Sequence, residues 1–245
     1  MANKVKFFGL IVAAGLSSTL SQANSEGTTT TSSNNSGFYT GALFGYSSMN
    51  VVNKEGIFVP GLTNEFRRFS YNSNGVVGTL LFGYRHFFTP SYFGGLEFGA
   101  SWDNNSIDKR QNLNGHPTQT KLKGPFKFTP AVVLGSQFSE NWLGFVKLGV
   151  SISRFDIYHS VAVTGFNPIN GATNSFKQIQ SGLMAALGLE RSITKNISAV
   201  GLASYENFGK IQRTFTAVAG APGESNHITL KPEYYTVKVG MTYKF

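Results

Sequence analysis

The residues able to do chemistry are few in this chain. It has no Cys, which excludes a disulfide framework and every thiolate metal site. The four His, at 86, 116, 159 and 227, never fall at a metal-ligand spacing, so neither a metal nor a cofactor is expected. His159 and Ser160 place a base beside a hydroxyl. Adjacent residues need not share a face, however, and no carboxylate is fixed beside them by sequence. The mutual orientation a nucleophile needs is missing, and no catalytic residue is expected. A second set stands out by context: Glu97, Lys147 and Lys238 are single charges inside runs of apolar residues and Gly, and Glu190 closes such a run (GGLEFG, FVKLGV, VKVGM, ALGLE). Charges so embedded form either a paired structural network or an ion path, and buried charges usually pair for structure. Arg154 and Lys177 flank a long polar stretch, where a guanidinium and an ammonium could grip phosphates.

The elements that carry these residues repeat with period two. Charged residues make up 13% of the 245, about half the usual share, while 14% are aromatic and 28 are Gly. The longest apolar run, Phe7 to Leu16, is far shorter than the roughly 18 residues a helical span needs. From Gly37 the apolar residues are spread by alternation. The pattern predicts eight strands: one from Gly37, then Val76 to Phe88, Phe93 to Trp102, Phe128 to Phe138, Trp142 to Arg154, Gln178 to Arg191, Ile197 to Tyr205 and Tyr235 to Phe245. Long polar stretches (Met49 to Gly75, Asp103 to Lys127, Phe155 to Lys177, Glu206 to Tyr234) alternate with short turns near Pro90, Glu140 and Lys195. That rhythm predicts an all-β fold, a transmembrane antiparallel up-and-down barrel of eight strands with four long extracellular loops and short periplasmic turns. Only a closed barrel leaves no unpaired β edge in lipid.

One parity is apolar, as in Leu96, Phe98, Ala100 and Trp102, or Val146, Leu148, Val150 and Ile152. The other carries Gly and the embedded charges, with Tyr39, Leu43, Val133, Phe145, Met184 and Leu202. The first set should meet lipid and the second fill the barrel, where small and large groups interlock. A soluble lipocalin-like barrel would reverse the faces, and Glu97, Lys147 and Glu190 on the Gly-rich face argue against it. Three segments follow. Residues 1–23 read as a signal peptide: Lys4 and Lys6 precede the apolar run, and Ser21-Gln22-Ala23 offers the cleavage site. Its removal lowers the net charge of +9 by two. Residues 24–36 lack any large apolar group and read as a flexible polar leader, and 37–245 as the barrel.

FYTGALFGYS (38–47), GGLEFGASW (94–102), FVKLGVSISRFD (145–156), ALGLE (186–190) and VGMTYKF (239–245) together resemble the OmpA-type, or opacity-like, eight-stranded outer-membrane barrels. The resemblance implies export to the bacterial outer membrane. It implies that Phe245, the C-terminal aromatic, is the residue read by the barrel-assembly machinery. It matches Glu97 and Glu190 to the family's interior carboxylates and Lys147 to an interior cation. Three family cations are replaced by Leu43, Val133 and Val200, one of them from the charge gate of conducting members, which disfavours a pore. Lys238 is the expected replacement partner for Glu97 or Glu190. The chain ends at Phe245, so the peptidoglycan-binding domain of full-length members is not expected.

The expected function is therefore an integral outer-membrane barrel that displays surface loops, as a structural protein, surface antigen or adhesin. A narrow porin-like channel is the alternative, and a lipid A-modifying enzyme a third reading. Expected partners are outer-membrane lipid, lipopolysaccharide held by Arg154 and Lys177, and a host receptor or glycan met by the loops. The stretch from Asp103 to Lys123, with Lys109, Arg110, Lys121 and Lys123 against Asp103 and Asp108, suits an anionic glycan. The pI of 9.7 does not signal nucleic acid, because the basic residues are scattered and no RNA-binding motif is present.

Overall fold

Eight strands of this chain close on themselves. The computed structural model describes residues 36–58, 65–113, 116–161, 172–216 and 225–245. The signal peptide, the leader up to Asn35 and the middle of the third loop, with Phe166, lie outside the described residues. The strands are β1 (Gly37–Phe58), β2 (Glu65–Phe87), β3 (Tyr92–Asp103), β4 (Ser106–Leu113), β5 (His116–Lys123), β6 (Phe126–Ser139), β7 (Trp142–Val161), β8 (Ala172–Ser192), β9 (Ile197–Asn207), β10 (Ile211–Thr216) and β11 (Ser225–Lys244). Antiparallel pairing runs β1–β2–β3–β6–β7–β8–β9–β11, and β11 returns to β1 from Tyr39↔Lys244 to Phe58↔Ser225. These eight are the strands expected from the alternation.

Two of the short turns use one device. In each, a Thr hydroxyl (Thr89, Thr194) accepts a backbone N–H three residues on, from Tyr92 or Ile197, at 3.0 Å. Ser36 was expected to belong to the flexible leader, yet its hydroxyl meets His86 Nδ1 at 2.9 Å and accepts from Phe87 N at 3.0 Å.

The loops differ most from expectation. Instead of stopping at the polar stretches, β1, β2, β7, β8 and β11 run 20 to 23 residues. A tilted strand crosses a bilayer in about 9–11. Strand geometry then lifts their far ends roughly 25 Å beyond the apolar belt. The second loop is the β4–β5 hairpin, whose β5 pairs with β7, and the fourth contains β10, which pairs with β11. The physical reason is a change of face. Along β1, Phe38, Phe44 and Tyr46 point outward, but Met49 and Val51, on the opposite parity, are buried. Strand β7 repeats this: Val146 to Ile152 face out, then Phe155 and Ile157 face in. Once the outside is water, the apolar residues turn to the inside.

Two cores result. The lower joins Tyr39, Leu43, Leu81, Phe93, Val133 and Phe145 with other lumen residues, and the upper joins Met49, Tyr71, Phe155, Phe208, Leu230 and Tyr234 with theirs. In the lower core a Cβ on Gly188 would enter the Phe145 ring, and one on Gly83 would enter Tyr39. Small and large residues therefore interlock across the lumen.

Leu148, 62% exposed, faces lipid, whereas Ser151 is fully buried and hydrogen-bonded to Thr129 at 3.0 Å. Leu148→Arg should cost about 2–4 kcal/mol of folding stability in vesicles, and Leu148→Ala much less. Ser151→Arg should not be the milder arginine variant, because the lumen has no room for it. Urea titration of refolded barrels checks both, and a Leu148→Arg barrel as stable as Leu148→Ala would reverse the faces.

Candidate functional site

The lumen holds two layers of paired charge. Near the periplasmic turns, the Lys147 ammonium on β7 donates to Glu97 Oε1 on β3, and Tyr39 on β1 donates to Glu97 Oε2 at 2.9 Å. Beside them Arg85 on β2 grips Glu190 on β8 with two donors, at 2.7 and 3.3 Å. Its guanidinium also lies over the rings of Phe93 and Tyr39, 4.6 and 5.1 Å from their centroids. A bidentate, charge-assisted pair between rings is among the stronger polar contacts available to a barrel interior.

Above this layer, Lys127 on β6 lies 3.5 Å from Asp103 on β3 and 3.2 Å from Glu206 on β9, under the ring of Tyr234 at 3.9 Å. Asp103 also accepts from Ser47 Oγ at 2.6 Å and from Asn105 N at 2.9 Å. Lys238 on β11 sits between the layers and donates to Thr79 Oγ1 at 3.1 Å, which in turn meets Ser101 Oγ at 2.8 Å. Among the described residues, four inward-facing cations (Arg85, Lys127, Lys147, Lys238) thus face four carboxylates (Glu97, Asp103, Glu190, Glu206) in and between these two layers, which are neutral together. Neutrality matters here, because an unpaired ion in this setting costs several kcal/mol.

The structure brings Glu97, Lys147, Glu190 and Lys238 into one lumen but pairs them differently from expectation. Lys238 partners neither Glu97 nor Glu190; Arg85 already satisfies Glu190, while Lys147 and Tyr39 satisfy Glu97. The sequence reading missed Arg85, although it shares the inward parity of Leu81 and Gly83. It also missed Asp103, Lys127 and Glu206, which mark the ends of the expected loops. Asp103 is buried and so does not offset the cations of the β4–β5 hairpin. Asp108 does offset one of them: hydrogen bonds from Gln119, at 2.7 Å, and from Lys121 hold its carboxyl below the usual range.

Arg154 and Lys177 lie on the outer surface of β7 and β8, diagonal to one another, with Asp156 directly opposite Lys177. Phe245 follows β11 with its ring exposed and edge-on to Tyr243, 5.3 Å between centroids. His159 and Ser160 point to opposite faces, His159 inward. Its Nδ1 meets Thr120 Oγ1 at 3.1 Å and its Nε2 lies 3.3 Å from Glu55 Oε1. The order is hydroxyl, imidazole, carboxylate, yet all three side chains are buried in the upper lobe, so no substrate reaches Thr120 in this state.

No family model matches the sequence, and no curated protein matches it. Among solved structures, the outer membrane protein OprG of Pseudomonas aeruginosa aligns over 85% of this chain and 96% of its own, with 13% identity and a TM-score of 0.54. The chain has the fold of an outer-membrane β-barrel. The outer membrane protease OmpT of Escherichia coli aligns over 85% of this chain and 97% of its own, at 10% identity and a TM-score of 0.47. The attachment invasion locus protein Ail of Yersinia pestis aligns over 82% and 99%, at 13% and 0.35. Closure and an apolar outer belt, from Tyr84 and Tyr243 up to Tyr46, Trp102 and Tyr235, make this an integral barrel of the bacterial outer membrane.

Removing one member of a lumen pair strands the other. Lys147→Ala and Arg85→Ala should each cost about 3–5 kcal/mol, read from urea unfolding in vesicles. Arg85→Ala combined with Glu190→Ala should recover part of that loss. Additive costs in this double-mutant cycle would mean the pair is not coupled.

Proposed function

We propose that the protein is a closed outer-membrane anchor that presents a folded lobe at the cell surface, as a surface antigen or adhesin. One observation carries this reading: a second core of buried residues is stacked above the packed lower lumen, so the strands hold up a folded head rather than line a passage. Binding residues on a rigid β scaffold are held in place, and the exposed Lys109 and Arg110 of the β4–β5 hairpin offer an anionic glycan a fixed target. The channel reading is opposed by Leu43, Val133 and Val200, which bring apolar groups to the lumen where a conducting relative would hold cations. The enzymatic reading is opposed by the burial of Thr120, His159 and Glu55.

The test is adhesion. Bacteria that carry the chain with residues 108–121 replaced by a two-residue turn should bind host cells or heparin less than the wild type at equal surface amounts. Unchanged binding would remove the hairpin from the adhesive surface. In planar bilayers the purified wild-type barrel should give negligible stable conductance. Reproducible ion-selective openings that Lys147→Ala alters without unfolding the protein would promote the channel instead. Recognition by the assembly machinery is part of the same reading. Phe245→Ala should lower the amount of heat-modifiable, protease-protected barrel in the outer membrane, and a normal amount would release Phe245 from that role.

A further inference from the structure

The outward positions just past the aromatic girdle are polar but uncharged around most of the rim: Ser48, Asn50, Asn72, Asn74 and Asn207, with Glu233 and Lys231, an acid and a base on β11, as exceptions. One sector differs. Lys123 on β5, Asp156 on β7 and Lys177 on β8 form a row of directly opposed residues, so all three project from the same face. Arg154 lies one step closer to the membrane on that face, in line with Phe126 and Trp102 of the girdle. Opposed residues place their Cβ atoms about 5 Å apart, well within the reach of Lys and Arg side chains. The sector therefore concentrates three cations on one carboxylate. Asp156 Oδ1 lies 3.7 Å from Arg154 Nε, a loose pair that orients the guanidinium. Among the described residues, neither Lys123 nor Lys177 has an ion-pair partner. Directly opposite Arg154 on β8 is Ile179, 72% exposed, an aliphatic group one step closer to the membrane than Lys177.

We propose that Lys123, Arg154 and Lys177 form a binding site for the phosphates of lipid A in the outer leaflet, with Ile179 and Ile152 beneath them against its acyl chains. Height selects this ligand, because a ring of Trp and Phe marks the depth at which headgroups begin. Charge selects it too. A phosphate monoester carries close to two negative charges at neutral pH, which matches the net excess of two cations in the sector. The guanidinium supplies a planar fork for two phosphate oxygens, and the two ammonium groups supply point charges on either side. The asymmetry of the rim makes this a site rather than a general attraction to an anionic surface. The proposal rests on the barrel's place in the outer membrane and not on what the upper lobe binds, so it stands or falls separately from adhesion.

The test uses the mature full-length barrel in phosphatidylcholine bicelles. Lipid A carrying an acceptor for Trp fluorescence is titrated in, since Trp102 is two strands from Arg154. Lys123→Ala combined with Lys177→Ala should weaken association at least tenfold. Lys54→Ala combined with Arg68→Ala removes the same charge from exposed positions on β1 and β2 and should change it less than twofold. Dephosphorylated lipid A should lose the association, and labelled phosphatidylglycerol should associate at least tenfold more weakly than lipid A. Equal losses in the two double variants would overturn the proposal, as would undiminished binding of dephosphorylated lipid A or equal binding of phosphatidylglycerol. Heat-modifiable migration of each variant establishes that its barrel is folded.

Discussion

The pairing of β1 with β11 is the contact on which the rest depends. Without it the sheet has two edges, and each unpaired backbone group in hydrocarbon costs several kcal/mol. Closing eight strands also fixes an interior just wide enough for side chains to fill. Gly must then stand opposite the large rings, as Gly188 does to Phe145, and no space is left for an unpaired charge to draw water. The lumen's composition follows from closure: apolar groups, glycines, and charges that stand beside opposite charges or hydrogen-bond partners. Strand β11 supplies one side of the seam, so the ring closes only once β11 has paired with β1.

The ring itself was legible because period two survives any environment. All eight strands could be located from the alternation, and apolar parity alone assigned the lipid faces of β3, β7, β8 and β11. The lobe was less legible, because the expectation equated a strand with apolar residues on one fixed face. Above the membrane the period continues while the apolar parity switches, from Tyr46 to Met49 on β1 and from Ile152 to Phe155 on β7. Met49-x-Val51 and Phe155-x-Ile157 continue their strands through that switch, and the point of inversion marks where lipid gives way to water. The polar composition of these stretches belongs to their outer face. The hairpin and β10 are shorter, and their pairing partners are set by the lobe as a whole.

The charged site was legible in proportion to how deep each residue lies in a strand. Glu97, Lys147 and Glu190 sit amid clear alternation, and parity put them inside. Arg85 lies near a turn, while Asp103, Lys127 and Glu206 lie where the apolar belt ends, and a charge at such a place reads as a rim residue or a loop. Parity also cannot say which inward charge meets which, since that depends on stagger between strands far apart in sequence. Arg85 and Glu190 are 105 residues apart, and only the closed ring brings them within 2.7 Å. Lys238 shows the limit plainly: its direction was readable, its partner Thr79 was not.

The same geometry weighs an anchor against a pore. A continuous passage would have to pull Lys147 from Glu97 and Arg85 from Glu190 and leave each ion with water alone. If each separation costs about 3 kcal/mol, the lower end for buried pairs, the open state lies about 6 kcal/mol above the closed one. At roughly 1.4 kcal/mol per factor of ten, fewer than one molecule in ten thousand would be open at any moment. The upper core adds a second barrier, because Phe155, Phe208 and Tyr234 pack edge to face above Lys127. Those rings would have to part as well, and their apolar surface would dewet any channel so formed. Rigidity on this scale hinders conduction, and it is what the proposed surface head requires.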